Sequence, residues 1–227
     1  MKLVMIRHGE SVWNQANIFT GWTDVELSKN GHKEAQSAGD LLRDNGFDFD
    51  ICYTSLLKRA IHTLDIVLNE MSRTWLPVIK AYQLNERHYG DLQGKNKQET
   101  ADQYGAEQVR MWRRSYKTLP PLLDRDDDRS PTHQAMYRGI NSKDLPMAES
   151  LEMTVKRVVP YFEKTIKKNM LDNKRVLIVA HGNSLRALCM HFDNLSEEEI
   201  INLEIPTGKP LIYEFDQDFN VENSYYL

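Results

Sequence analysis

Five short apolar runs punctuate the chain: KLVMIR (2 to 7), DICYTS (50 to 55), VIKAYQL (78 to 84), RVLIVA (175 to 180) and PLIYEF (210 to 215). Their length and their aliphatic and aromatic content predict β-strands. Between them the apolar spacing widens to three and four residues, the period of an amphipathic helix. Leu27 to Asn45 carries Ala35, Ala38, Leu41 and Leu42 on one side, opens on Ser28 as an N-cap and stops at Gly46. Ser55 to Met71 repeats the arrangement with Leu56, Ala60, Leu64 and Val67. Glu149 to Leu171 does so with Leu151, Val155, Val158, Val159, Phe162 and Ile166, and Pro160 within it predicts a kink or a break, since proline has no N–H for the preceding turn. Ser196 and Glu199 form a capping-box pattern that predicts one more helix start. The alternation of strand and helix predicts an α/β fold: a mainly parallel central sheet flanked by helices on both faces.

Residues 86 to 149 break this rhythm. They hold WRRSY and PPLLDRDDDRSP, show little apolar periodicity and contain no strand-like run. An insertion of that length is expected to be a cap or lid, helical or irregular, over the carboxyl edge of the sheet. No repeat, low-complexity tract or linker divides the chain, so one domain over residues 1 to 227 is expected, with 86 to 149 as its lid-like insertion.

Composition narrows the classes. With 227 residues, 41% hydrophobic and 27% charged, the chain can bury a substantial core. No run reaches the roughly 18 apolar residues of a membrane span, and MKLVMIRHGE has no signal-like apolar core, so a cytoplasmic protein is expected. The net charge of −4 argues against nucleic-acid and membrane-surface partners. Cys52 and Cys189 sit in apolar segments and are expected as free, buried thiols. Asp124, Asp126 and Asp128 alternate as in a calcium loop, but Arg129 stands where that loop needs glycine and Ala135 where it needs a glutamate; a solvated acidic turn is expected, and no metal.

The chemistry lies in a repeated device. VMIRHGES (4 to 11) and LIVAHGNS (177 to 184) each run from an apolar strand into His-Gly, a polar residue, Ser and a helix-compatible stretch. In an open parallel sheet ligands gather beyond the carboxyl ends of the strands, where helix N-termini present N–H groups. Were the two strands neighbours, about 4.8 Å apart, His8 and His181 would face each other across one small site. Glycine after each histidine would let the backbone turn and a ligand approach. An arginine fork beside two histidines suits a phosphoryl group: a neutral imidazole can attack phosphorus, and a second can hydrogen-bond the oxygens as they gain charge.

Arg7-His8-Gly9-Glu10-Ser11, with Arg59, Glu86 and His181-Gly182 following in order, resembles the signature of the histidine phosphatase superfamily. FTGWTDVELSKNG (19 to 31), LNERHYGDLQGKNK (84 to 97), QVRMWRRSY (108 to 116) and IPTGKPLIYEFD (205 to 216) extend the resemblance, over essentially the whole chain, to the cofactor-dependent phosphoglycerate mutases within it. The resemblance implies His8 as the nucleophile, Arg7, Arg59 and His181 as the clamp on the transferring group with Gly182 and Asn183 nearby, and Glu86 as proton donor and acceptor. It implies that Ser11, Asn14, Thr20, Gly21, Arg87, His88, Tyr89, Lys97, Arg113 and Arg114 hold the rest of the substrate. It implies 2,3-bisphosphoglycerate as the primer of His8, no metal, small phosphorylated metabolites as partners, and either a monomer or a homo-oligomer. Because an exposed phosphohistidine would hydrolyse, the insertion and the tail ending NSYYL are expected to cover the site.

Taken singly these residues are less telling. Arg113 and Arg114 read as a solvated helix face, Thr20-Gly21 as a turn, and Glu86-Arg87 as a surface ion pair worth under about 1 kcal/mol. Val12 and the stretch 124 to 140 also depart from the usual pattern of these mutases. A phosphatase of the same superfamily would share His8, Arg7, Arg59, Glu86 and His181 but lack Lys97, Arg113 and Arg114. A bisphosphoglycerate synthase would use the same site, and a non-catalytic phosphate binder would have lost the nucleophile or the proton donor.

Overall fold

The computed structural model describes all residues, 1–227. The chain runs β1 (Lys2–Arg7), α1 (Val12–Gln15), α2 (Lys29–Asp44), β2 (Ile51–Thr54), α3 (Lys58–Glu70), β3 (Val78–Lys80), α4 (Lys97–Tyr104), α5 (Ala106–Arg114), α6 (Leu151–Tyr161), α7 (Lys167–Leu171), β4 (Val176–Ala180), α8 (Gly182–Phe192), β5 (Pro210–Phe215) and β6 (Val221–Tyr226). One six-stranded sheet results, in the order β3-β2-β4-β1-β5-β6. β1 to β4 are parallel; β5 lies antiparallel to β1, and β6 antiparallel to β5.

Strand alternation divides two cores between the faces of this sheet. Leu3, Met5, Ile51, Tyr53, Val176, Ile178, Leu211 and Tyr213 point to one side, against Val158 and Phe162 and against Leu185, Leu188 and Phe192 of α8. Val4, Ile6, Cys52, Leu177, Val179 and Ile212 point to the other, against Ala38 and Leu42 of α2 and Leu64, Val67 and Leu68 of α3. Both cysteines are free and buried, as expected. The Ser28 cap is present, its Oγ accepting from Gly31 N–H at 3.0 Å.

Several local expectations change. After Pro160 the helix does not stop but changes its hydrogen-bond pattern. It widens into a π-helical turn, Phe162–Ile166, before α7. The strand expected over 78 to 84 ends at Lys80 and continues as a 3-10 turn, Tyr82–Leu84. The Ser196–Glu199 capping box forms but opens only a 3-10 turn, Glu199–Asn202. The insertion is free of strands, yet α5 does bury an apolar face, Val109 and Trp112, against Phe19 and Leu92.

The tail is the main correction. Residues 221–226 are an edge strand, paired from Phe215↔Val221 to Leu211↔Tyr226, and Tyr225 and Leu227 pack toward the core on the α2/α3 side. None of residues 218 to 227 lines the cleft at the carboxyl edge. Deleting 221 to 227 therefore strips a paired strand and is expected to lower the thermal midpoint by about 5 °C or more, read by circular dichroism. An unchanged midpoint would mean that β6 adds nothing to stability.

Candidate active site

The β1–β4 register sets Arg7 opposite Ala180, so the residues leaving the two strands are His8 and His181. Their rings meet edge to face with centroids 4.9 Å apart. β2 ends beside them, and Ser55, the residue after it, lies 2.7 Å from His181 Nε2 through its Oγ. Three adjacent strand ends thus supply the floor. α8 opens there at Gly182 and α3 at Lys58, whereas after β1 the expected helix is the single turn α1.

His8 Nδ1 is 2.7 Å from the carbonyl of Gly9, a group that can only accept. The ring proton therefore sits on Nδ1, and Nε2 keeps its lone pair, which receives Arg59 Nε–H at 3.3 Å. Burial, then Arg59 and Arg7, holds the His8 pKa well below the ordinary histidine value. Burial, Arg59 and His8 do the same to His181. Both rings are neutral at pH 7.

Arg59 is anchored by the carbonyls of Thr23, at 2.9 Å, and Gly21, at 2.7 Å, and Arg7 Nη1 by that of Ile205, at 2.8 Å. Burial pushes the Arg59 pKa down to about 10, leaving it a cation. Glu86 enters from the start of the insertion. Its Oε1 accepts N–H groups from Arg87, at 2.8 Å, and Asn183, at 3.1 Å, while Oε2 has no hydrogen-bond partner. The two glycines act differently. A Cβ on Gly9 would stand 2.3 Å from the Gly31 carbonyl, so that glycine permits a backbone contact, whereas a Cβ on Gly182 would project between Arg7 Nε and Glu86 Oε2, at 3.5 and 3.7 Å.

Above this floor lies a polar cleft of about 170 Å³. Of the expected residues it is lined by Arg7, His8, Asn14, Thr20, Gly21, Arg59, Glu86, Tyr89, Lys97, Arg113, Arg114, Gly182 and Asn183. His181 lies beneath His8, fully buried. Three more do not face the cleft. Ser11 caps α1, exchanging hydrogen bonds with Asn14. Arg87 turns away to the carbonyls of Trp112 and Arg113, at 2.6 and 2.7 Å. His88 Nδ1 accepts from Gly90 N–H at 3.0 Å beside Trp22. Arg186 and Glu204 line the cleft although no motif reading singled them out. Arg186 was legible as one helical turn beyond Gly182-Asn183, and its Nη1 donates to Asn183 Oδ1 at 2.8 Å. A larger groove, about 590 Å³, at the amino edge among Met1, Phe47, Phe49 and Leu227 gathers no comparable set of groups.

A family model of the histidine phosphatase superfamily (branch 1) matches residues 3–226. The chain belongs to that superfamily. It is 61% identical over 227 residues to a 2,3-bisphosphoglycerate-dependent phosphoglycerate mutase of Treponema denticola, covering 100% of this chain and 92% of that one. It is 57% identical to the protein of the same description from Lachnoclostridium phytofermentans, covering 100% and 91%. Among solved structures, a putative alpha-ribazole-5'-P phosphatase from Escherichia coli superposes with a TM-score of 0.72 at 23% identity over 100% of this chain and 94% of that one. Bacillus stearothermophilus YhfR gives 0.73 at 22% over 97% and 94%. These two show that the histidine phosphatase fold is shared.

The neutral histidines of this superfamily member leave a signature in stability. Burial also drives His88 down to about 3. Below pH 6.5 the unfolded chain binds protons at His8, His88 and His181 that the native state refuses, so stability is full above that value and falls as pH drops below it. At about 1.4 kcal/mol per pH unit for each group, three groups give about 4 kcal/mol per unit. Urea unfolding in phosphate-free buffer is expected to steepen toward that slope as pH falls from 6.5 to 5, and His88→Phe to remove about one third of it. A flat profile would mean that the rings are not held neutral.

Proposed function

We infer that this protein interconverts 3-phosphoglycerate and 2-phosphoglycerate by two phosphoryl transfers through phosphorylated His8, as a 2,3-bisphosphoglycerate-dependent mutase of glycolysis and gluconeogenesis. The carrying observation is the two-part cationic wall of the cleft. Arg59, from the start of α3, donates to His8 Nε2, Arg7 ends β1 next to His8, and Lys97, Arg113 and Arg114 add positive charge from the insertion. A phosphatase needs the first group; the second gives a substrate's other anionic end a place to bind. Identity of 61% and 57% over the whole chain to two mutases supports the same choice.

Buried Arg7 Nε and Arg186 Nε have no partner in the protein, which fits a multiply anionic ligand in this space. When bound, 2,3-bisphosphoglycerate supplies the phosphoryl group that loads His8. The Nε2 lone pair takes the group while Nδ1–H, donating to Gly9, fixes the ring plane and stabilises the charge that develops. Arg7 and Arg59 hold the equatorial oxygens, and His181, with Nδ1 unpaired and Nε2 braced on Ser55, supports them. Glu86 keeps Oε2 for the substrate hydroxyl, taking its proton as His8 gives up the phosphoryl group and returning it in the reverse transfer. Asn14, Thr20, Tyr89, Lys97, Arg113 and Arg114 seat the remainder. The insertion, through α4 and α5, is assigned the covering role that keeps water from phosphohistidine. This reading makes small phosphorylated metabolites the partners and places the protein in the cytoplasm, where free Cys52 and Cys189 stay reduced; no helix is long and apolar enough to cross a membrane.

The test is turnover of 3-phosphoglycerate with and without catalytic 2,3-bisphosphoglycerate, with phosphate release followed in the same tube. Isomerisation stimulated by the bisphosphate is expected. His8→Ala should abolish isomerisation and phosphate release, and Glu86→Gln should lower kcat by about 10²- to 10⁴-fold. Phosphate release without isomerisation would make the protein a phosphatase.

A further inference from the structure

We propose that Glu204 is an internal competitor for the substrate's anionic end: it occupies Arg114 in the ligand-free protein and thereby sets the affinity and charge selectivity of the cleft. This rests on the mutase reading given above.

The cleft wall carries Arg7, Arg59, Lys97, Arg113, Arg114 and Arg186, and only two carboxylates, Glu86 and Glu204. Glu86 is nine-tenths buried and tied to backbone N–H groups at the inner end. Glu204 lies at the mouth, with 73% of its side chain exposed, and forms an ion pair with Arg114. None of the other five cations has a carboxylate within ion-pair distance; they rest on neutral carbonyls or have no partner. A cleft whose other cations form no ion pair thus makes one exception, at Arg114.

The exception is anchored. Ile205, the next residue, is buried in the core and lends its carbonyl to Arg7, and Gly208 N–H donates to the Arg7 carbonyl at 2.9 Å. The segment bearing Glu204 therefore cannot swing far, and its carboxylate stays within reach of α5. Facing it across the mouth are Lys97, Arg110, Arg113 and Arg114, which line an outer chamber that shares Lys97, Arg113, Arg114 and Glu204 with the cleft. An anion entering by this route exchanges one carboxylate on Arg114 for another, and the displaced Glu204 returns to water. A ligand with a phosphate and a carboxylate repays this exchange through its second contact; inorganic phosphate or sulfate, with one site to fill, does not.

The experiment compares Glu204→Gln with the wild type, both full length. The variant is expected to lower KM for 3-phosphoglycerate by about 3- to 10-fold, the range that an exposed ion pair and one fewer like charge support. The relative change in kcat should be smaller. The inhibition constant for inorganic phosphate should fall as well, and phosphate should raise the thermal midpoint more in the variant. Equal KM and equal phosphate inhibition in the two proteins would overturn the proposal while leaving the mutase reading intact. Absence of isomerisation in the wild type would overturn that reading, and the phosphate-dependent midpoints would still decide whether Glu204 competes for anions. Glu204→Asp separates charge from shape: a carboxylate that still reaches Arg114 should keep KM near the wild-type value, and a KM as low as that of Glu204→Gln would overturn competition by charge.

Discussion

The parallel pairing of β1 with β4 is the constraint from which the site follows. With Arg7 opposite Ala180, the two chains leave the sheet together and His8 and His181 are forced into ring contact. A slip of one residue would turn His8 to the other face of the sheet and break the pair. The register is secured by the core itself, since Leu3 and Met5 serve one face and Val4 and Ile6 the other. Two charged rings would repel at that range, and burial, with Arg59 beside them, keeps both pKa values well below the ordinary histidine value. Packing, register and nucleophile are one arrangement.

Crowding cations around two neutral rings carries an electrostatic cost, and the fold meets it without spending the charge. Arg59 rests on Gly21 and Thr23, Arg7 on Ile205, Arg87 on Trp112 and Arg113, and Arg186 on Ile200, all through carbonyl oxygens. A carbonyl dipole orients a guanidinium and satisfies its N–H groups while leaving the net charge for a ligand. Carboxylate partners would have cancelled that charge before any substrate arrived. The one buried carboxylate pair nearby lies behind the site: Glu149 grips Arg157 in two hydrogen bonds, and Arg157 in turn donates to the carbonyls of Tyr82, Gln83, Asn85 and Glu86. Glu149 also accepts from His88 N–H. The backbone that carries Glu86 is therefore clamped on both sides of the residue.

What the sequence disclosed and what it hid follow from this physics. Strands buried on two faces read as apolar runs, so β1, β2, β4 and β5 were legible, and the repeated His-Gly exposed the strand-end device. β6 was not, because VENSYY is exposed along most of its length and its pairing depends on β5 rather than on its own composition. Ser11, Arg87 and His88 lie within motifs that surround the site, and adjacency in sequence does not reveal which way a side chain turns. Arg186 and Glu204 reach the cleft only through the packing of α8 and of the segment before β5. The Glu149–Arg157 clamp joins an insertion end to a helix, and neither residue has a local pattern that announces the other.

The fold is shared by proteins only 22 to 23% identical, and a fold by itself does not decide a reaction. His8, Arg59 and His181, to which phosphoryl capture is assigned on the mutase reading, come from the sheet edge or from the start of α3. The second anion station comes from elsewhere: Lys97 opens α4, and Arg113 and Arg114 close α5, held over the cleft by the small core of Phe19, Leu92, Val109 and Trp112. Burial and the neighbouring Arg113 depress the Lys97 pKa, a sign that these charges repel one another until an anion lies between them. On the mutase reading, a substrate held at both stations stays after the first phosphoryl transfer to take part in the second. Isomerisation rather than hydrolysis thus depends on two structural sources meeting over one histidine.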